Sequence, residues 1–177
     1  MKKFLRLSTV FALLLTLQAC GNNNAIPDNT TLQSNADCLC EFRVPNDWTM
    51  TDQYEKADLE YTAPSQIEQV IVFHGDVPEG QQADFNAYVQ QTLKGIQEST
   101  EVYKELSNRS FTLNGLQARQ FEIETVSQSQ PITNLLTIVE GTNGKLYQIL
   151  AWSVSSNYGN SVKGLHAIVN TFKARAQ

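Results

Sequence analysis

The sequence predicts an α+β fold: a three-layer sandwich with a central, mainly antiparallel sheet of about six or seven strands and helices on both faces. Three observations predict this class. Strand-like runs and helical stripes follow one another as three strands, a helix, about four strands and a helix. Hairpin signals join consecutive strands, which favours antiparallel pairing. Several strands are apolar at both odd and even positions, so both faces of the sheet need cover.

Three extended segments are predicted before the first helix. Residues 38–44 alternate, and one side of that strand carries Cys38, Cys40, Phe42 and Val44. Pro45 ends the strand, and a turn to Trp48 follows. Residues 58–62 form a weaker alternating strand. The apolar run at 69–75, which glycine ends, is typical of a strand covered on both faces.

The second half of the domain begins with a change to helical spacing. Over residues 83–98, apolar side chains recur at three- and four-residue intervals, which predicts an amphipathic helix. Asn114-Gly115, between two strand-like runs at 110–125, is a strong hairpin signal. Two further strands are predicted at 132–140 and 145–154, with a turn between them.

A helical stripe closes the chain over residues 158–175. Its apolar members are Val162, Leu165, Ile168, Val169 and Phe172. Lys173 and Arg175 would suit the carboxyl end of this helix, where the helix dipole favours cations.

The amino terminus has the layout of a bacterial export signal. Lys2, Lys3 and Arg6 precede an apolar run at residues 10–17. That run is too short to cross a membrane, which requires roughly 20 residues. Residues 1–19 are therefore predicted to be a signal peptide that is removed.

Leu17, Gln18, Ala19 and Cys20 resemble the lipobox of bacterial lipoproteins, with leucine three residues before the cysteine and a small residue directly before it. The resemblance implies that Cys20 is diacylated, becomes the first residue and is acylated on its amine. Three acyl chains give stable anchoring, whereas one gives only marginal binding. Gly21 implies transport to the outer membrane, facing the periplasm. An ordinary secretory signal is the alternative.

Residues 20–36 are predicted to be the lipidated amino terminus and a flexible tether, because they are polar and lack periodicity. Such a tether reaches on the order of 20 Å. Residues 37–177 would form the domain. The net charge of −5 falls to −8 once the three cations of the signal peptide are removed. An acidic domain repels nucleic acid, which excludes it as an expected partner.

Four segments of this domain carry a resemblance: "FRVPNDW", "FTLNGLQARQFE", "GKLYQILAW" and "IVNTFK". Together they resemble the PsbP-like superfamily, which includes PsbP, Mog and DcrB-like proteins, over residues 40–173. The resemblance implies a non-enzymatic binding or assembly protein without a cofactor. It transfers no functional residue to this chain, and Trp48 matches a packing residue.

Few residues are candidates for chemistry. His74 and His166 have no partner at i+2 or i+4, so no metal ligand is assigned. Glu122 and Glu124 share one face of a strand, about 7 Å apart, which is near the spacing of paired catalytic carboxylates. Two glutamates on a wet face give the same pattern, and this interpretation is favoured. No catalytic residue is assigned, and the aromatic residues Tyr147 and Trp152 are expected in the core.

Two functional hypotheses follow. The first is a lipid-anchored, non-catalytic envelope protein that binds, or assists assembly of, another envelope component. Contact would be made through a sheet edge, a loop or a groove between sheet and helix. The alternative is a small ligand-binding protein or hydrolase with a pocket that uses Glu122, Glu124 or His74.

Cys38 and Cys40 leave two alternatives. Residues i and i+2 of a strand lie roughly 6.6 Å apart, too far for a disulfide unless the chain bends. Either Cys40 is a small core residue and Cys38 lies at the frayed start of the strand, or the chain turns at Leu39 and the two form a bridge. The unbroken alternation favours the first alternative.

Replacement of the anchoring cysteine tests the lipoprotein prediction. If Cys20 carries the acyl chains, Cys20→Ser is expected to move the protein from the membrane fraction to the soluble fraction, because no lipid remains to hold it. Cell fractionation with immunoblotting measures the change. A Cys20→Ser protein that stays in the membrane fraction contradicts the assignment.

Overall fold

The structure, a computed structural model, describes residues 28–76, 84–142 and 144–175. The predicted signal peptide and Cys20 lie outside the described residues. The described chain forms ten strands and two helices. Their bounds are β1 Thr30–Asn35, β2 Cys40–Pro45, β3 Thr49–Met50, β4 Leu59–Thr62, β5 Glu68–Asp76, α1 Phe85–Ser99, β6 Tyr103–Leu113, β7 Leu116–Ser127, β8 Gln130–Glu140, β9 Lys145–Val154, α2 Ser155–Asn170 and β10 Lys173–Ala174.

Seven strands form the main sheet, in the order β3-β4-β5-β9-β8-β7-β6, and every neighbouring pair is antiparallel. The predicted α+β class, the antiparallel sheet and the number of strands are therefore confirmed. The predicted hairpin joins β6 to β7, with φ angles of 49° at Asn114 and 89° at Gly115. These left-handed conformations explain why asparagine and glycine occupy this turn.

The buried apolar residues form two clusters, one with each helix. Leu165, Ile168 and Val169 of α2 belong to the larger cluster, which also contains Leu135 of β8. Phe85 and Val89 of α1 belong to the smaller cluster with the next residue, Leu136. Neighbouring residues of β8 thus pack with different helices. Neither helix of the described residues is both long and apolar enough to cross a membrane.

A second sheet of three strands, in the order β1-β2-β10, packs beside α2. The sequence places residues 30–35 in a flexible tether, and this is wrong: they pair along the whole of β2, from Thr30 with Pro45 to Asn35 with Cys40. Their polar side chains bury little surface, so only the backbone pairing reveals the strand. The folded part therefore begins before residue 37.

The last helix begins and ends earlier than predicted. It starts at Ser155, directly after β9, and ends at Asn170. Lys173 lies in β10, where it pairs with Glu41 of β2, and Arg175 follows that strand. Neither residue therefore caps the helix. Asn114, in the β6–β7 turn, instead donates hydrogen bonds from Nδ2 to the carbonyl oxygens of Asn170 and Phe172, at 2.9 and 2.7 Å.

Cys38 and Cys40 form a disulfide, which is the alternative that the alternating pattern of residues 38–44 disfavoured. The chain turns at Leu39, where φ is 51°, and β2 begins only at Cys40. The two Cα atoms lie 5.2 Å apart, and a disulfide joins the side chains. Both cysteines are fully buried in the larger cluster. The favoured interpretation of a strand that starts at Cys38 was wrong, because a left-handed residue allows the bend that such a strand excludes.

Hydrogen bonds from the preceding strand and from two distant parts of the chain hold this turn. Tyr147 donates from its hydroxyl to the Cys38 carbonyl at 2.9 Å. The backbone N–H of Arg175 donates to the Leu39 carbonyl at 2.7 Å. Asn35 accepts from the backbone N–H of Cys38 at 3.2 Å through Oδ1. The turn therefore connects β1, β9 and the end of the described chain.

Oxidation of this pair is measurable. The unreduced protein is expected to be two hydrogens lighter than the dithiol form by intact-mass measurement. Cys38→Ser combined with Cys40→Ser should lower the free energy of unfolding by about 1–2 kcal/mol, because the bridge closes only a very short loop. Urea titration with and without reductant measures this cost. Alkylation of both cysteines in the denatured, unreduced protein contradicts the bridge.

Candidate functional site

His74 of β5 lies in a polar cluster with Asp58, which precedes β4, Asp76 at the end of β5 and Lys145 at the start of β9. Its Nδ1 is 2.8 and 2.9 Å from the two carboxylate oxygens of Asp58, and its Nε2 is 3.7 Å from Asp76. Lys145 also donates from Nζ to Asp76, at 2.5 Å. Both carboxylates therefore have cationic or imidazole partners, and His74 is held by groups from its own end of the sheet.

Glu122 and Glu124 lie on β7 and have different partners. Glu124 is 3.9 Å from Lys104, its exposed partner on the neighbouring strand β6. Glu122 is 3.9 Å from Nε2 of His166 and lines a cavity of about 410 Å³ between β6, β7 and α2. Burial and the Arg109 guanidinium lower the pKa of His166, and the Glu122 carboxylate opposes them. We call this the α2 cavity.

The structure does not bring together the three candidates of the hydrolase hypothesis. In the sheet order, β9 and β8 separate β5, which carries His74, from β7, which carries Glu122. Three strand spacings of roughly 4.8 Å put these side chains on the order of 14 Å apart. Glu124 does not line the α2 cavity. A site that combines all three residues therefore has no support, and Glu122 is the one of the three that lines the α2 cavity.

Glu60 is the acidic residue that sequence analysis missed. It is only 2% exposed, although it alternates with the apolar residues of β4. Its carboxylate accepts four hydrogen bonds, from Thr51 Oγ1 at 2.6 Å, Gln53 N at 2.9 Å, Tyr54 N at 3.1 Å and Gln69 Nε2 at 2.8 Å. Buried carboxylates persist when their lone pairs are satisfied in this way. The donors come from two segments outside β4, residues 51–54 and Gln69 of β5, so the β4 pattern alone does not reveal them.

A second cavity, of about 470 Å³, adjoins Glu60. We call it the Trp152 cavity. Threonine hydroxyls of β3 and β4, glutamine amides and Trp152 line it. Trp152 donates from Nε1 to Oε1 of Gln69 at 2.9 Å, and Gln69 donates from Nε2 to Glu60 and, at 3.2 Å, to Thr62. The carboxylate thus fixes the glutamine, and the glutamine fixes the indole.

The aromatic residues that were expected in the core differ in position. Tyr147 is fully buried and belongs to the larger cluster. Trp48 packs against the same cluster, which agrees with a packing role. Trp152 is partly exposed and lines the cavity, so its assignment to the core was only partly right. Within the described ranges, no group of three His, Cys, Asp or Glu side chains could hold a metal ion.

Comparison with known proteins identifies the fold. No protein-family profile and no curated protein sequence matches the chain. The solution structure of cyanobacterial PsbP (CyanoP) from Synechocystis matches with a TM-score of 0.66 and 13% identity, over 89% of this chain and 98% of that chain. The chain has a PsbP-like fold.

Two further structures with the PsbP-like fold have different biological settings. The Saccharomyces cerevisiae Ran-binding protein Mog1p matches with a TM-score of 0.58 and 11% identity, over 84% of this chain and 96% of that chain. LpqN of Mycobacterium tuberculosis, described as involved in cell envelope biogenesis, matches with a TM-score of 0.58 and 16% identity, over 81% and 89%. At these identities the likeness concerns the fold alone.

Substitution of Glu60 tests its structural role. Glu60→Gln is expected to lower the free energy of unfolding by about 2–3 kcal/mol, because the new amide group faces donors that the carboxylate now satisfies. Urea unfolding monitored by circular dichroism measures the loss. The control is Glu55→Gln, at an exposed position before β4, which should change stability by less than about 0.5 kcal/mol. Equal stability of the two variants contradicts the role assigned to Glu60.

Proposed function

We propose that this chain is a lipid-anchored, non-catalytic protein of the bacterial envelope that binds another envelope component or assists its assembly. Acyl chains on Cys20 hold it on the outer membrane, and the domain faces the periplasm. The lipobox-like segment supports the anchor. A PsbP-like fold supports an accessory role, since one structural neighbour is described as Ran-binding and another as involved in envelope biogenesis.

The layers of the domain fit this proposal. We infer that α1 and α2 cover opposite faces of the main sheet in a three-layer sandwich, because alternating residues of β8 pack with different helices. With both faces covered by helices, a partner that pairs with the main sheet must do so at one of its edges.

The observation that carries the proposal is the free edge at β6. This strand ends the main sheet, spans Tyr103–Leu113, and has no strand on its outer side among the described residues. A bulge between Glu105 and Ser107 leaves Leu106 out of the pairing with β7. Leu106 and the preceding Val102 are 44% and 43% exposed. Two large apolar side chains at an open edge favour a protein contact there.

The opposite edge is a weaker candidate. Its strand, β3, has two residues and offers little backbone for pairing.

The bulge and the charged residues Lys104, Glu105 and Arg109 of β6 oppose unspecific strand pairing. These features make β6 selective, because a partner must match both the apolar pair and the charges.

Site-specific photo-crosslinking in intact cells tests this surface. A benzoylphenylalanine at Leu106 is expected to give one discrete protein adduct, because the side chain extends from the contacting edge. The matched control is the same residue at Met50, which is 63% exposed at the opposite edge and should give no such adduct. The Leu106 adduct should also be lost with Cys20→Ser, which removes the protein from the membrane. Absence of an adduct at Leu106, or the same adducts at both positions, contradicts the proposal.

A further inference from the structure

We propose that the Trp152 cavity binds a neutral saccharide. This ligand site is separate from the β6 edge and does not depend on the lipid anchor. Among the residues that the structure describes, no charged side chain lines the cavity. Its volume of about 470 Å³ lies within the roughly 300–1,000 Å³ range of small-molecule pockets.

The charges near the cavity exclude ionic ligands. Glu60 lies next to it but is buried, and its carboxylate already accepts four hydrogen bonds. It therefore offers no site for a cation. The described lining contains no lysine, arginine or histidine to pair with an anion, and the neighbouring Glu60 carboxylate disfavours one. The ligand that remains is an uncharged molecule that both donates and accepts hydrogen bonds.

Hydroxyl and amide groups supply both halves of such bonding. Thr49 contributes a hydroxyl that can donate and accept. Thr51 donates to Glu60, and its oxygen lies 3.2 Å from that of Thr62, so these two hydroxyls offer lone pairs that accept from a ligand. Gln53 and Gln66, at the exposed rim, carry amides that can donate and accept. A sugar has the same dual character at every hydroxyl. A site of paired hydroxyls and amides therefore selects a polyol over an apolar ligand.

Trp152 supplies the apolar surface that sugar rings require. Its Nε1 is committed to Gln69, so the exposed part of the indole offers ring carbons. The C–H face of a pyranose can pack on that surface while its hydroxyls reach the threonines and glutamines. The hydrogen-bonded chain from Glu60 through Gln69 fixes the indole before binding, which lowers the entropic cost of association.

Tryptophan fluorescence reports this site directly. The chain has two tryptophans, so Trp48→Phe leaves Trp152 as the single emitter. The mature chain, in a detergent without a sugar headgroup, is titrated with hexasaccharides of glucose in α and β linkage and of N-acetylglucosamine. At least one is expected to give a saturable change in Trp152 emission below about 10 mM. No saturable change with any of the three would overturn the proposal.

Calorimetry with the best sugar assigns the contacts. Trp152→Leu is expected to weaken binding at least tenfold, and Gln53→Ala, which keeps the backbone N–H bonded to Glu60, about threefold. Gln130→Ala, at an exposed position outside the cavity, should leave the affinity unchanged. If Trp152→Leu does not fold, the Gln53→Ala variant still measures how much a lining residue contributes to affinity. Unchanged affinity in Gln53→Ala, or equal losses in Gln53→Ala and Gln130→Ala, would overturn the assignment.

The same sugar can come from a free glycan or from a glycolipid headgroup. Vesicles that carry a neutral glycolipid with that sugar separate the two sources. Tighter binding to these vesicles by the Cys20→Ser chain than to the soluble hexasaccharide identifies a lipid-linked ligand. Equal or weaker binding identifies a free glycan. Both results support a saccharide site.

Discussion

The structure depends on a strand that is buried on both faces. In β8, seven consecutive residues, Thr133 to Val139, are buried. Such a strand must pair on both sides and must be covered above and below. Pairing with β7 and β9 meets the first need. The second need brings Leu135 into the cluster of α2 and Leu136 into the cluster of α1. The positions of both helices follow from this strand.

Polar side chains inside the sheet then have to pair across strands. Thr137 accepts from Nε2 of Gln120 at 2.8 Å, and Gln120 in turn accepts from Arg109 at 3.0 and 2.7 Å. The chain of Trp152, Gln69 and Glu60 uses the same principle near the other edge. The Trp152 cavity and the α2 cavity each lie where one of these chains reaches the surface. Fixed polar side chains are thus already present at both places before any ligand arrives.

Local chemistry made much of this fold predictable from sequence. Asn114-Gly115 defined a hairpin because few residues adopt two successive left-handed conformations. The β7–β8 turn uses the same conformations at Gln128 and Ser129, which carry no such signal, and so went unrecognised. Strand β1 and the burial of Glu60 depend on partners distant in sequence. Trp152 was assigned to the core because it is apolar, and hydrophobicity alone does not reveal that a cavity lies beside it.

The β1–β2 pairing has a mechanical consequence. A pull on the chain from before Thr30 loads the pair Thr30 and Pro45 first, so β1 peels from β2 one pair at a time. Peeling exposes little apolar surface and lengthens the connection by roughly 20 Å, at about 3.3 Å per residue. It stops at the turn before β2, where Cys38 and Cys40 are buried and hydrogen bonds from Tyr147 and Arg175 hold the backbone. The edge of the domain can thus lengthen under load up to the point where the buried turn resists further extension.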